Sequence, residues 1–254
     1  MGPEVPRLLG AVLPKRLAET FLARWLVTTA SKWLRTGVIA SFAIGFTVPY
    51  FRLFNAIRVE GADILEALPR TNVIFLANHQ TYFLEAIAFF DLVYLRYHLP
   101  LEDPVLRVSA AEETMRPFTA IMKLAGAVTL KRRYRSGGQP VNRPPDLEGI
   151  ARVEHAIRTG WLLHFPAGTT REDAELRPGV ARILHNTKAV AVPVRVDGFR
   201  RMLLLRQVPG KLFRSCSITL HPPMDLGAFY DAPYSDEGAA VVLGQLDALI
   251  HPKA

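Results

Sequence analysis

The order of apolar patterns along the chain predicts an α/β fold: a largely parallel central sheet flanked by helices, with an N-terminal membrane-associated helical segment. Three observations carry this. Short runs rich in Val, Ile, Phe and Leu alternate with longer stretches of helical period. Gly, Pro or polar residues punctuate the junctions between them. Near the N-terminus, an apolar stretch sits between basic and indole side chains.

In order, "NVIFLA" (72–77) reads as a strand and "FLEAIAFFDLVYLRY" (83–97) as a helix. "VLRVSA" (105–110) is a strand, "MRPFTAIMKLAG" (115–126) a helix and "AVTLKR" (127–132) a strand. A Gly/Pro-rich linker, "RSGGQPVNRPPD" (135–146), leads to the helix "DLEGIARVEHAIRTG" (146–160), with Asp146 placed to cap it and Gly160 to close it. "WLLHFP" (161–166) is a strand, "RPGVARILHNT" (177–187) a helix with Pro178 in its first turn, and "AVAVPVRV" (189–196) a strand. "SCSITLHPP" (215–223) is a further strand and "EGAAVVLGQLDALI" (237–250) the last helix. Strands alternating with helices favour parallel pairing, and in such sheets functional residues gather where strands end. His79, Arg132, the 166–170 turn and Val194 are all expected to follow strands.

The N-terminal part divides from the rest at residue 54: a membrane-association segment over 1–54 and a catalytic-sized domain over 55–254. Between Arg35 and Arg52 lie 16 uncharged residues, fewer than the roughly 20 that cross a bilayer. Arg24, Lys32, Arg35 and Arg52 flank them, with Trp25 and Trp33 nearby, a composition suited to the headgroup layer. The expectation is a helix or helical hairpin on, or dipping into, one leaflet. A buried core helix and a full membrane span are the competing readings.

The chain has 254 residues, a net charge of +8 and one cysteine, Cys216. An internal disulfide is therefore excluded, and a reducing compartment is favoured. The positive balance implies an acidic partner, with nucleic acid, anionic lipid and phosphorylated substrates all candidates. No nucleic-acid-binding module is legible, so no nucleic-acid partner is expected. Serine-hydrolase elbows, H-E-x-x-H, paired cysteines and phosphate-loop motifs are absent, and no metal is implied. Cys216 lies in an apolar strand pattern and reads as a core residue.

Three stretches carry chemistry. In "VIFLANHQTYFLE" (73–85) a buried run ends in Asn78-His79, and Glu85 follows. A neutral imidazole held by a carboxylate is a general base, yet the spacing alone equally fits a loop histidine beside an ordinary helix charge. "AGAVTLKRRYR" (125–135) runs from Gly126 into Lys131, Arg132, Arg133 and Arg135, where arginine forks suit phosphate. In "HFPAGTTRE" (164–172), Gly168 permits a tight turn whose amides, with Thr169, Thr170 and Arg171, could hold an oxyanion or phosphate.

In this order, together with "AVPVRVDG" (191–198), these stretches resemble the glycerolipid acyltransferase family, which includes the lysophosphatidic-acid acyltransferases. "NHQTYFLE" is similar to the family's Asn-His followed by an acid. "GAVTLKR" is similar to its glycine-to-arginine strand, "FPAGTTR" to its Phe-Pro-Glu-Gly-Thr-Arg, and Val192-Pro193 to its Val-Pro strand end. "RVEG" (58–61) and "LRPGVARIL" (176–184) fit as well, so the resemblance spans roughly residues 58–225. Two departures stand out. Five residues, rather than four, separate His79 from its acid, which is Glu85 rather than Asp. Ala167 replaces the family's Glu, and Thr170 its Arg, with Arg171 one place late.

The resemblance implies an enzyme that moves a fatty acyl chain from a thioester, on coenzyme A or acyl carrier protein, to the hydroxyl of a lysophospholipid. The first acceptor it implies is 1-acyl-glycerol-3-phosphate. It assigns His79 as base and Glu85 as its partner. Substrate contacts would come from Asn78, Gly126, Arg132, Arg133, Ala167, Gly168, Thr169, Thr170, Arg171 and Pro193. No bound cofactor is implied, since the thioester is a co-substrate. The enzyme would work at the cytoplasmic face of a membrane. A different lyso-lipid or hydroxylated acceptor, or a catalytically silent lipid-binding protein on the same scaffold, are the alternatives.

Overall fold

The computed structural model describes residues 37, 41, 43–97, 105–112, 126–131, 135–136, 139–140, 144, 146–171, 174–205 and 208–251. Seven strands form its main sheet: β1 (Ala56–Glu60), β2 (Val73–Ala77), β3 (Leu106–Ala111), β4 (Ala127–Leu130), β7 (Trp161–His164), β8 (Val190–Asp197) and β11 (Ser215–Leu220). Their spatial order is β1-β11-β8-β2-β7-β3-β4. From β8 to β4 every pairing is parallel, whereas β11 runs antiparallel to β8 and β1 parallel to β11. The largely parallel sheet is therefore as expected. Two two-stranded ribbons accompany it, β5 (Arg135–Ser136) with β6 (Gln139–Pro140), and β9 (Leu203–Leu205) with β10 (Val208–Pro209).

Burial on both faces explains why β2 and β7 read as continuous apolar runs. Phe75, Trp161, Leu163 and Val192 point to one face, and Ile74, Leu76, Leu162 and Ala191 to the other. The first face is covered by α2 (Leu84–Phe90), which continues as a π-helical turn over Asp91–Arg96, and by residues around Phe46, Tyr50 and Phe51. The second is covered by α3 (Leu147–Arg158), α4 (Gly179–Thr187) and α6 (Asp236–Ile250). Short helices α1 (Ile64–Ala67) and α5 (Gly227–Asp231) complete the described set.

Several boundaries shift for local reasons. β4 stops at Leu130 because the next amide, that of Lys131, donates to the Asp146 carboxylate at 2.9 Å instead of to β3. The same carboxylate caps α3 through the amide of Gly149 at 3.0 Å, as its position promised. β7 ends at His164 rather than Pro166, and β11 at Leu220, ahead of Pro222-Pro223, since proline has no N–H for a ladder. Pro178 stands just ahead of α4 rather than inside its first turn. β1, an edge strand of alternating exposure, was not anticipated. The helix expected over 115–126 lies outside the described residues, apart from Gly126.

Of the N-terminal segment, residues 1–36 lie outside the description. Its described C-terminal part packs on the sheet. Phe51 is fully buried in the core, and the Tyr50 hydroxyl donates to Met202 O at 2.9 Å. The Asn55 side chain ties Tyr50 O to the Arg214 amide. Among the described residues, no helix is long and apolar enough to cross a membrane.

Candidate active site

Because β2, β7 and β8 are parallel, the loops leaving their C-terminal ends emerge along one edge of the sheet. The loop after β2 begins with Asn78, whose carboxamide extends the ladder past the strand. Its Nδ2 donates to Val196 O at 2.9 Å, and its Oδ1 accepts from Val196 N at 2.7 Å. Both polar groups are thus engaged by β8, and the clamp fixes the backbone from which His79 projects.

His79 continues the alternation of Phe75 and Ala77, so its imidazole lies on the face covered by α2. There it stacks on Phe165, the residue after β7, with ring centroids 4.1 Å apart and planes 21° from parallel. Nδ1 of His79 is buried and faces Glu85 Oε1 at 3.8 Å. That separation is a charge-pair distance, beyond a hydrogen bond. The imidazole keeps 14 % of its side-chain exposure although Nδ1 is buried, so the accessible part is the rest of the ring.

The loop between them explains how Glu85 reaches the histidine despite the additional residue. The Thr81 hydroxyl accepts from the Leu84 amide at 3.0 Å and donates to Glu85 Oε2, while Glu85 Oε1 accepts from the amides of Gln80 and Thr81. This is a capping box lengthened by one residue: the acid reaches back from the first turn of α2 to the amides ahead of it. Glu85 is fully buried, and these three donors balance its charge.

The turn after β7 runs Phe165-Pro166-Ala167-Gly168, closed by the Gly168 amide donating to Phe165 O at 3.0 Å. Proline suits its second position. Gly168 has φ +65°, and a β-carbon there would lie 2.9 Å from Nε of Arg177. That Nε donates to Ala167 O at 3.1 Å, so a side chain at 168 would break the brace as well as strain the backbone. Ala167 is buried, Thr169 and Thr170 are half-buried, and Arg171 is exposed.

A residue not anticipated from the sequence joins these loops. Arg200 lies in the 3₁₀ turn Phe199–Met202 that follows β8. Its guanidinium donates to Gln80 O at 3.3 Å and to Thr170 O. The Gln80 side chain in turn accepts from the Phe199 amide at 2.9 Å. The basic pair Arg200-Arg201, one residue after "VPVRVDG", was the available signal.

Two expected contacts do not gather here. Gly126, at φ +97°, precedes β4, and parallel pairing places it at the opposite edge, on the order of 13 Å away along four strand residues. Pro193 lies within β8, level with Leu76, and its carbonyl accepts from the His221 amide at 2.9 Å. The strand runs on to Asp197, so neither Pro193 nor Val194 marks its end. Arg132 and Arg133 lie outside the described residues. Cys216 is buried, and burial pushes its thiol up to about 12, which leaves it a core group as expected.

A second histidine was missed. His164, the last residue of β7, points to the opposite face, where its Nδ1 pairs with the Ser109 hydroxyl at 2.7 Å. Burial lowers its pKa to about 4, so it is neutral. Among the described residues, no group of three or more His, Cys, Asp or Glu side chains is placed to hold a metal ion.

Comparison with known proteins agrees with this architecture. A structural match covers 96 % of this chain and 86 % of the 1-acyl-sn-glycerophosphate (LPA) acyltransferase PlsC from Thermotoga maritima, with a TM-score of 0.54 and 17 % identity. At that identity the likeness speaks for the fold. No curated protein sequence matches the chain. The Acyltransferase family model matches residues 56–197, from β1 through the end of β8, which bears out the resemblance read from the motifs. Since that match takes in the loops after β2 and β7 and spans more than half of the sequence, the chain belongs to the acyltransferase family.

Proposed function

We propose that the protein transfers a fatty acyl chain from coenzyme A or acyl carrier protein to the hydroxyl of a lysophospholipid, first of all 1-acyl-glycerol-3-phosphate. One observation carries this reading: His79 Nδ1 faces the buried Glu85 at 3.8 Å while the rest of the ring stays accessible at the sheet edge. In the reaction, the other ring nitrogen, Nε2, takes the acceptor hydroxyl's proton as its oxygen attacks the thioester carbonyl. The tetrahedral intermediate then collapses, the thiolate leaves, and it recovers the proton from the imidazolium. Glu85 orients the ring and stabilises its charged form. Catalytic hydrogen bonds are often long before substrate binds, and 3.8 Å is short enough to close. The guanidinium groups of Arg132, Arg133 and Arg171 hold the acceptor phosphate in this reading, and the N-terminal segment ahead of the buried Thr47, Tyr50 and Phe51 keeps the enzyme at the cytoplasmic face of the membrane. No bound cofactor takes part.

The test is acyl transfer to lysophosphatidic acid by the His79→Ala protein. General-base assistance is worth roughly 10²–10⁴-fold, so turnover should fall by that order, and undiminished turnover would end the mechanism. A second reading changes only the acceptor. It rests on position 167, where a buried methyl stands in place of a carboxylate. A panel of lyso-lipids and hydroxylated lipids, with and without phosphate, separates the two. Vesicle binding without transfer from any thioester would instead mark a silent lipid-binding protein.

A further inference from the structure

Of the eight large hydrophobic side chains exposed among the described residues, five fall in one region: Leu53, Phe54, Leu204, Leu212 and Phe213. They are contiguous through the backbone. The Phe213 amide donates to Phe54 O at 2.7 Å, and the Gly210 amide to Met202 O at 3.2 Å. Leu204 packs against Gly210, where an added β-carbon would meet its Cβ at 3.1 Å. Phe213 is 82 % exposed and Leu53 71 %.

Phe213 also holds φ +57°, a left-handed backbone that costs a bulky L-residue energy and that Gly or Asn would adopt with less strain. An aromatic ring kept in that conformation and pushed into solvent is a poor choice for stability alone. The sequence around it is one-signed. From Gly198 to Ser217 the chain carries five cationic side chains and no acidic one. Lys211 and Arg214, beside the exposed rings, are themselves exposed. Asp197, just before the stretch, is engaged by Arg201 at 3.4 Å.

Topology sets where this patch lies. β11 and β1 run opposite to the parallel strands, so their N-terminal ends, Ser215 and Ala56, share the edge at which β2 and β7 end. The backbone confirms it: a β-carbon on Gly198, directly after β8, would meet Ser215 O at 2.7 Å. The patch therefore stands on the His79 edge of the sheet.

We propose that Leu53, Phe54, Leu204 and the stretch Lys211–Arg214 form a docking surface for an anionic lipid bilayer, the apolar tips entering the acyl boundary and Lys211 and Arg214 meeting headgroup phosphates. Apolar side chains backed by cations are complementary to that surface, and to a neutral one much less. Leu53 and Phe54 close the 1–54 segment expected at the membrane, Leu204 and Lys211–Arg214 lie far from it in sequence, and lipid binding by this surface does not require that acyl transfer occur.

The experiment measures cosedimentation of the full chain with vesicles of phosphatidylcholine alone or mixed with phosphatidylglycerol, without any activity readout. Parent protein should prefer the mixed vesicles. Phe213→Asn should lower that binding several-fold while leaving the melting temperature unchanged or raised, because it relieves the left-handed strain. The triple change Leu204→Ser, Leu212→Ser, Phe213→Asn should lower it at least about tenfold. Lys211→Gln and Arg214→Gln should each cost about fivefold on mixed vesicles and little on neutral ones. Binding by the triple variant equal to the parent's would overturn the proposal. So would a parent that ignores vesicles, or a parent dimer that the triple change dissociates, which would make a second copy the occupant. Failure of acyl transfer with lipid binding intact would count against the enzymatic reading alone.

Discussion

Nδ1 of His79 lies 3.8 Å from Oε1 of Glu85, while that same oxygen accepts the amides of Gln80 and Thr81. One carboxylate thus shapes the loop and faces the imidazole. Glu85→Gln keeps an oxygen for the two amides but removes the charge. The expected outcome is a folded protein whose kcat falls about tenfold or more, with little change in KM. Glu85→Ala leaves buried amides unpaired and should cost about 1–3 kcal/mol in urea denaturation. Wild-type turnover by Glu85→Gln would dismiss the acid as the partner.

Arg200 links the loops after β2 and β7 through Gln80 O and Thr170 O. Arg200→Ala should reduce kcat/KM about tenfold, the worth of one or two such hydrogen bonds. Lys carries a point charge in place of a fork, so Arg200→Lys should recover only part of the loss. As a positioning residue, Arg200 should leave the pH dependence of kcat unmoved.

Buried His164 makes stability pH-dependent. An unfolded histidine takes its proton near pH 6.5, the folded one only near about 4. Between those values the unfolded chain binds more protons, so stability falls as pH drops through the window. The loss attributable to this residue between pH 7 and pH 5 is about 2 kcal/mol. Urea midpoints across that range, compared with those of His164→Gln, should show a shallower decline in the variant.

Asp91 is a buried acid on the π-helical turn, held by Nε of Arg96 at 3.0 Å and Nη2 of Arg52 at 3.2 Å. Arg96 also donates to Ile57 O at 3.2 Å, so the cluster ties β1 to the helix. Removing one member of a buried pair typically costs about 3–5 kcal/mol. Asp91→Ala should approach that loss, and Arg52→Gln, with Arg96 still in place, should cost less. Equal urea midpoints for Asp91→Ala and wild type would contradict the assignment.

The alternation of apolar runs with helical patterns determined the strand-and-helix order, because β2 and β7 are buried on both faces and so read as near-continuous apolar runs. Local chemistry determined the Asp146 cap and the turn at Gly168, since both depend on contacts within a few residues. Edge strand β1 escaped notice because "AIRVE" alternates charges with apolar groups over a short length. The structure decided what depends on neighbours distant in sequence. Parallel pairing sent Gly126 to the far edge and left Pro193 inside the ladder. The lengthened capping box brought Glu85 to His79, a geometry that residue spacing could not supply. Stacking on Phe165 joined two motifs about 86 positions apart, and Arg200 joined a third loop to them. Antiparallel β11 carried Phe213 and its cations to the same edge, which no reading of the linear order reveals.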